Sequence, residues 1–313
     1  MNDTIEAIQQ EIRKVVKGKD ELVELLTIAL CVGGHILLES VPGTGKTMLA
    51  KSFAQALQLQ FSRIQCTPDV LPSDVTGIRY FHPGEQAFVK QPGPVMTNVL
   101  LVDEINRATP KTQSSLLEVM EEKQVTIDGE TLPLPQPFFV VATQNPVDVQ
   151  QGTYALPIAQ MDRFFMKLEM SYPSEIEERE MIQSHIYARE KEQVLPVVGA
   201  KQLHRIQESI RTVNVSSDIE AYALALVRAT RDASGIEVGA SPRATLALFR
   251  AAQGKAFVSG RSYVSPDDVK AVFSAVISHR LILTTEAYMT MNPQELIEGI
   301  LSVIPAPVEA SAN

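Results

Sequence analysis

Apolar residues recur at helical spacing over residues 4–17, where Ile5, Ile8, Ile12 and Val15/Val16 share one face and Glu6, Gln9, Gln10 and Arg13 take the other. That period predicts an amphipathic helix, ended by Gly18. A second helix, roughly Asp20 to Cys31, buries Leu22, Leu25, Leu26, Ala29 and Leu30 and stops at Gly33-Gly34. The pattern then changes to short apolar runs: Ile36 to Leu38, Phe61 to Cys66, Val99 to Val102, Phe138 to Ala142 and Phe164 to Leu168. Helical segments separate several of them, one opening at Thr109-Pro110, and this strand–helix alternation implies a parallel sheet. Two hairpins interrupt it. Ile78–Phe81 and Ala87–Lys90 flank His82-Pro-Gly-Glu85, and Val125–Ile127 and Glu130–Leu132 flank Asp128-Gly129, a strong tight-turn signal.

Beyond Tyr172-Pro173 the strands give way to helices. Ser174 and Glu177 form a capping box opening a charged helix to about residue 191, and Pro196 marks a break. Helices are expected over 199–211, 216–232, 242–258 and 265–280, the last announced by Ser265-Pro-Asp-Asp268. The expected organisation is an α/β core over 1–172 carrying both hairpins, a helical linker over 173–198, an all-helical lid over 199–303 and a frayed tail over 304–313.

Composition narrows the function. At 313 residues, 45% hydrophobic and 21% charged, the chain reads as a globular protein able to bury a large core. A net charge of −9 disfavours unspecific binding to nucleic acid or to anionic membranes. Cys31 and Cys66 fit no metal or disulfide framework and read as small core residues in a reducing compartment. No apolar stretch is long enough to span a bilayer, and the charged N-terminus is unlike a signal peptide, so the expected location is the cytoplasm.

The candidate chemistry begins at Leu38 to Met48, an apolar strand followed by a glycine turn and a helix start. There Pro42, Gly43, Thr44, Gly45, Lys46, Thr47 and Met48 are the candidate nucleotide-binding residues. The glycines let the backbone aim N–H groups at phosphate oxygens, Lys46 reaches the β and γ phosphates, and the Thr47 hydroxyl ligates Mg²⁺. Ser40 stands where the general phosphate-loop pattern has its first glycine. Asp103 and Glu104 follow an apolar strand; if that strand neighbours the loop, Asp103 holds Mg²⁺ and Glu104 orients or deprotonates the attacking water. Asn145 ends the next strand, where it could meet the γ phosphate or the water. Arg163 could stabilise charge on a transferring phosphoryl group. Arg243 lies in the first turn of a predicted helix, an unfavourable place for a cation that hints at an anionic partner, with a surface salt bridge as the alternative. The five histidines form no ligand cluster.

These residues resemble the AAA+ P-loop NTPases, and within them the MoxR family, over nearly the whole chain. The resemblance rests on Val41-Pro-Gly-Thr-Gly-Lys-Thr47, Leu101-Val-Asp-Glu-Ile-Asn-Arg-Ala108, Ala142-Thr-Gln-Asn-Pro146, Leu156 to Phe164, Gly239-Ala-Ser-Pro-Arg-Ala244 and Tyr263-Val-Ser-Pro-Asp-Asp268. It implies ATP and Mg²⁺ between core and lid, with Asn145 as a γ-phosphate sensor and Arg243 contacting nucleotide from the lid. It further implies Arg163 as an arginine finger acting on a neighbour's ATP, adenine near Val16 and Gly18, and a homo-hexamer with both hairpins facing its pore. Family members remodel or mature partner proteins, often ones with von Willebrand factor A domains. The other readings are an ATP-dependent switch or scaffold with negligible turnover, and a nucleic-acid motor of the helix-2-insert group.

Overall fold

The structure, a computed structural model, describes residues 2–41, 43–145, 153–179, 182 and 193–307. Pro42, most of the helix expected after Ser174, His185 and residues 308–313 lie outside that set. The amino-terminal helices are α1 (Asn2–Val15) and α2 (Asp20–Val32), and Gly33 closes α2 in the left-handed conformation, returning its N–H to the carbonyls of Ala29 and Leu30.

The core follows as β1 (Ile36–Ser40), α3 (Lys46–Ala56) and β2 (Phe61–Gln65), then a short α4 (Pro72–Thr76) leading into the hairpin β3 (Gly77–His82) and β4 (Ala87–Pro92). Next come β5 (Val99–Asp103), α5 (Pro110–Glu122), the hairpin β6 (Gln124–Ile127) and β7 (Glu130–Pro133), β8 (Phe139–Gln144), α6 (Ile158–Met161) and β9 (Met166–Met170). Both hairpins stand where the alternation placed them. The second turns through Asp128 and Gly129 at φ 49° and 80°, the positive values that an Asp-Gly turn demands.

Five strands form one parallel sheet in the order β2-β5-β8-β1-β9. Its interior strands are buried on both faces, which is why Val99 to Val102 reads as an unbroken apolar run. Ile36 and Leu38 join the core beneath α1, α2 and α3, whereas Leu37 joins that beneath α5. The period of two divides β1 between the layers.

The lid contains α7 (Ala200–Arg211), α8 (Ser217–Asp232), β10 (Ile236–Val238), α9 (Pro242–Val258), α10 (Pro266–Ile277), β11 (Ile282–Leu283), α11 (Thr285–Thr290) and α12 (Pro293–Val303). It is helical apart from the short antiparallel pair β10–β11, which the sequence pattern did not announce. Of the segment expected as a helical linker, 175–179 and 182 are helical and 193–199 carry no regular structure.

Lid and core share one hydrophobic cluster. Where α9 crosses α2, a Cβ on Gly254 would stand 2.9 Å from Ile28 and Val32, so glycine permits the close approach. Gln207 donates to the Leu30 carbonyl and Arg250 to that of Val32, satisfying the carboxyl end of α2 with lid side chains. No described helix is long and apolar enough to cross a membrane.

Two histidines are buried at the junctions. His35 accepts the Val140 N–H at Nδ1 and therefore donates from Nε2 to the Met120 carbonyl; His279 bonds the Phe164 carbonyl. Burial pulls His35 down to about 4, and burial beside Arg280 holds His279 well below the ordinary range. The unfolded chain protonates both near pH 6.5, so the stability present above that pH is lost as pH falls toward 4. For His35 alone, going from pH 7 to pH 5 should remove about 2 kcal/mol, read as a lower urea midpoint; equal midpoints would show that neither histidine is held neutral.

Candidate nucleotide site

The parallel register brings the strand ends together along one edge. Ser40 pairs with Met170, Glu39 with Gln144, Val102 with Ala142, and Gln65 with Asp103, so the loops after β1, β5 and β8 leave the sheet side by side. The strand bearing Asp103 does not directly neighbour the loop strand. β8 lies between them, two strand spacings of about 5 Å each separate β5 from β1, and Asn145 emerges from the intervening strand. Asn145 is buried there, following Gln144, whose amide donates to Glu39.

The loop after β1 is built for an anion. Gly43 and Gly45 adopt φ 83° and 92°, and a Cβ on Gly43 would meet nothing within 4 Å. Gly45 caps α3 and, lacking a side chain, supplies no capping oxygen of its own to the first-turn N–H groups. Lys46 and Thr47 are the first helical residues, both half-buried; Thr44 ties its hydroxyl back to the Val41 carbonyl, and Met48 is exposed. A magnesium ion held by Thr47 and Asp103 would take its other ligands from phosphate and water, which suits two hard oxygen donors beside an open anion cradle.

Asp103 is 3% exposed, with Arg63 on one carboxylate oxygen at 2.6 Å and the Thr143 hydroxyl on the other at 3.2 Å. Glu104 has φ 57°, a left-handed conformation unusual for a side-chain-bearing residue, and its N–H donates to the same Thr143 hydroxyl. Its Oε2 accepts from Gln65 at 3.2 Å and pairs with Arg107 at 3.1 Å. Burial, reinforced by these two carboxylates, pushes the neighbouring Cys66 thiol up to about 12. Sequence reasoning missed Arg63, Gln65, Arg107 and Thr143. The available signal was the spacing of Arg63 and Gln65, two apart and hence on one side of β2.

Val16 contributes its side chain to the core, and Gly18, at φ 66°, lies against Glu177: a Cβ there would overlap the carboxylate. Glu177 also accepts the Ser174 N–H, completing the anticipated capping box.

Arg163 and Arg243 stand elsewhere. Both pair with Glu121 at the end of α5, at 2.9 and 2.6 Å. The adjacent Met120 carbonyl bonds His35, which precedes β1, so this cluster occupies the amino end of the sheet. About 16 Å of strand separates that end from the phosphate loop. Arg243, expected to contact nucleotide from the lid, stands at this end because the docking of the lid turns the start of α9 toward Glu121. Beside Arg163, Asp162 accepts from Arg280 at 2.7 Å and from the Ser241 hydroxyl, the residue capping α9, at 2.8 Å.

Known proteins share this architecture. Residues 35–166 match the model of the ATPase family associated with various cellular activities (AAA), and residues 228–300 match the AAA lid domain. Chaperone MoxR1 of Mycobacterium tuberculosis is 41% identical over 97% of this chain and 82% of its own length. Protein MoxR of Methylorubrum extorquens is 32% identical over 97% and 96%. A crystal structure from Cytophaga hutchinsonii, 41% identical, superposes with a TM-score of 0.91 over 98% of this chain and 96% of that one. The chain belongs to the AAA+ ATPases, and within them to the MoxR family.

Arg280 is 3% exposed, and its guanidinium depends on Asp162 and on the carbonyls of Phe164 and Phe165. Asp162→Ala should strand that charge and cost about 3 kcal/mol, read from the urea midpoint. An unchanged midpoint would mean the pair is replaceable by water.

Proposed function

We propose that this chain hydrolyses ATP with Mg²⁺ and couples turnover to remodelling or maturing client proteins, including ones with von Willebrand factor A domains, as a cytoplasmic homo-hexamer. The observation that carries the reading is the single sheet edge shared by the phosphate loop, Asp103, Glu104 and Asn145. Lys46 and the α3 N–H groups bind the phosphates, and Thr47 with Asp103 holds the metal, which when bound neutralises phosphate charge. Glu104 orients a water and takes its proton. Asn145, from the strand between, bonds the γ phosphate or that water.

Arg163 and Arg243 stand at the far end of the sheet and serve the nucleotide of the next copy in a ring. The chaperone name of the M. tuberculosis relative supports the remodelling role. So does the first hairpin, which holds Phe81 and Phe88 exposed and edge to face at 5.5 Å. A cleft of about 460 Å³ opens between the two hairpins, lined by Ile78, Phe88, Thr126 and Ile127 and bridged by Arg79–Asp128. The grip of Gln65 and Arg107 on Glu104 favours, as a second reading, a switch of negligible turnover. The net charge of −9 disfavours a nucleic-acid motor.

Steady-state assays separate the two readings. Turnover should require Mg²⁺ and be abolished by Glu104→Gln while ATP binding survives; retained turnover in that variant would remove Glu104 from the chemistry. Mixing inactive Arg163→Ala chains with inactive Lys46→Ala chains should restore part of the activity, because some interfaces then pair an intact loop with an intact arginine. No recovery would count against a site shared between copies.

A further inference from the structure

We propose that Glu121 is a positioning residue that holds Arg163 and Arg243 together as a two-guanidinium clamp for the terminal phosphate of ATP bound to the next copy. The proposal deepens the ring reading above and rests on it. Each oxygen of the Glu121 carboxylate takes one arginine: Oε1 accepts from Arg243 Nη2 at 2.6 Å, and Oε2 pairs with Arg163 Nη1 at 2.9 Å. One of these arginines comes from the core and the other from the lid, and without an anion between them two like charges at such proximity repel. Arg163 and Arg243 remain 34% and 49% exposed, so both guanidiniums still reach solvent. Each has five N–H donors in a fixed fork, and a fork that fits carboxylate oxygens also fits phosphoryl oxygens. Glu121 thus arranges the pair before the phosphate arrives, which removes the reorganisation that would otherwise accompany the reaction.

The backbone on either side is fixed by the same junction. Asp162, beside Arg163, accepts from Ser241, two residues before Arg243, and from Arg280 in the lid. These bonds tie the lid to the segment that carries Arg163. Glu121 belongs to the last turn of α5, whose first turn follows the Glu104 segment, so one helix of 13 residues joins a chain's own water-activating end to the clamp it offers its neighbour. In sequence, Glu118, Glu121 and Glu122 are three glutamates spaced three and four apart on one helix, and nothing in that pattern distinguishes Glu121.

The test is steady-state ATP hydrolysis by the assembled protein carrying Glu121→Gln, Glu121→Asp or Arg163→Ala/Arg243→Ala, with urea midpoints as a check on folding. Glu121→Gln should lower kcat by on the order of tenfold to a hundredfold with KM for ATP changed little, since the chain's own phosphate loop is untouched. Glu121→Asp, which keeps the charge, should recover part of the loss. Added to the double arginine variant, Glu121→Gln should cost nothing further. An unchanged or raised kcat in Glu121→Gln, or a loss that adds in full to that of the arginines, would overturn the proposal. If Arg163→Ala alone leaves turnover intact, the ring reading beneath it falls as well.

Discussion

The guanidinium of Arg280 has almost no access to water, and every partner that stabilises it within hydrogen-bond reach belongs either to the core segment around Asp162 or to the end of α10. A buried cation without its counter-ion is costly, so the lid has one favourable way to sit on the core. That constraint decides more than stability. It seats α9 with its cap on Asp162 and brings Arg243 to Glu121, across the sheet from the chain's own phosphate loop. The apolar contact between α2 and α9 adds area to the junction, but Arg280 supplies its direction.

The nucleotide edge depends on a different constraint, the register of parallel strands. None of its side chains is unusual alone: a threonine, an aspartate and a glutamate at strand ends occur in any α/β protein. They become a site because hydrogen bonding between β2, β5, β8 and β1 aligns their carboxyl ends. Thr143 then serves two neighbours at once, donating to Asp103 and accepting from the Glu104 N–H. The left-handed turn at Glu104 is held by that contact and by Arg107 and Gln65.

Local signals were read well where local physics decides. The glycine loop, the Asp-Gly hairpin, the caps at Thr109 and Ser265, and most helix limits follow from backbone conformations and capping bonds that span four or five residues. The short β10–β11 pair and the helices α11 and α12 escaped, because their patterns are brief and their apolar residues meet partners distant in sequence. Lys46, Thr47, Asp103, Glu104 and Asn145 were legible as candidates from strand-end and loop chemistry, and the sheet places them along one edge.

What the sequence by itself determined is the set of elements and the chemistry each carries, since periodicity, capping and turn preference act within a few residues. Which strand lies between β5 and β1, which side chains hold Glu104, and which end of the sheet receives Arg163 and Arg243 were decided only in the folded chain. Those outcomes depend on pairs such as Arg280 with Asp162, 118 residues apart, and Arg243 with Glu121, 122 apart. At such separations the sequence pattern shows only two charged residues, and it is the packing of lid against core that makes them partners.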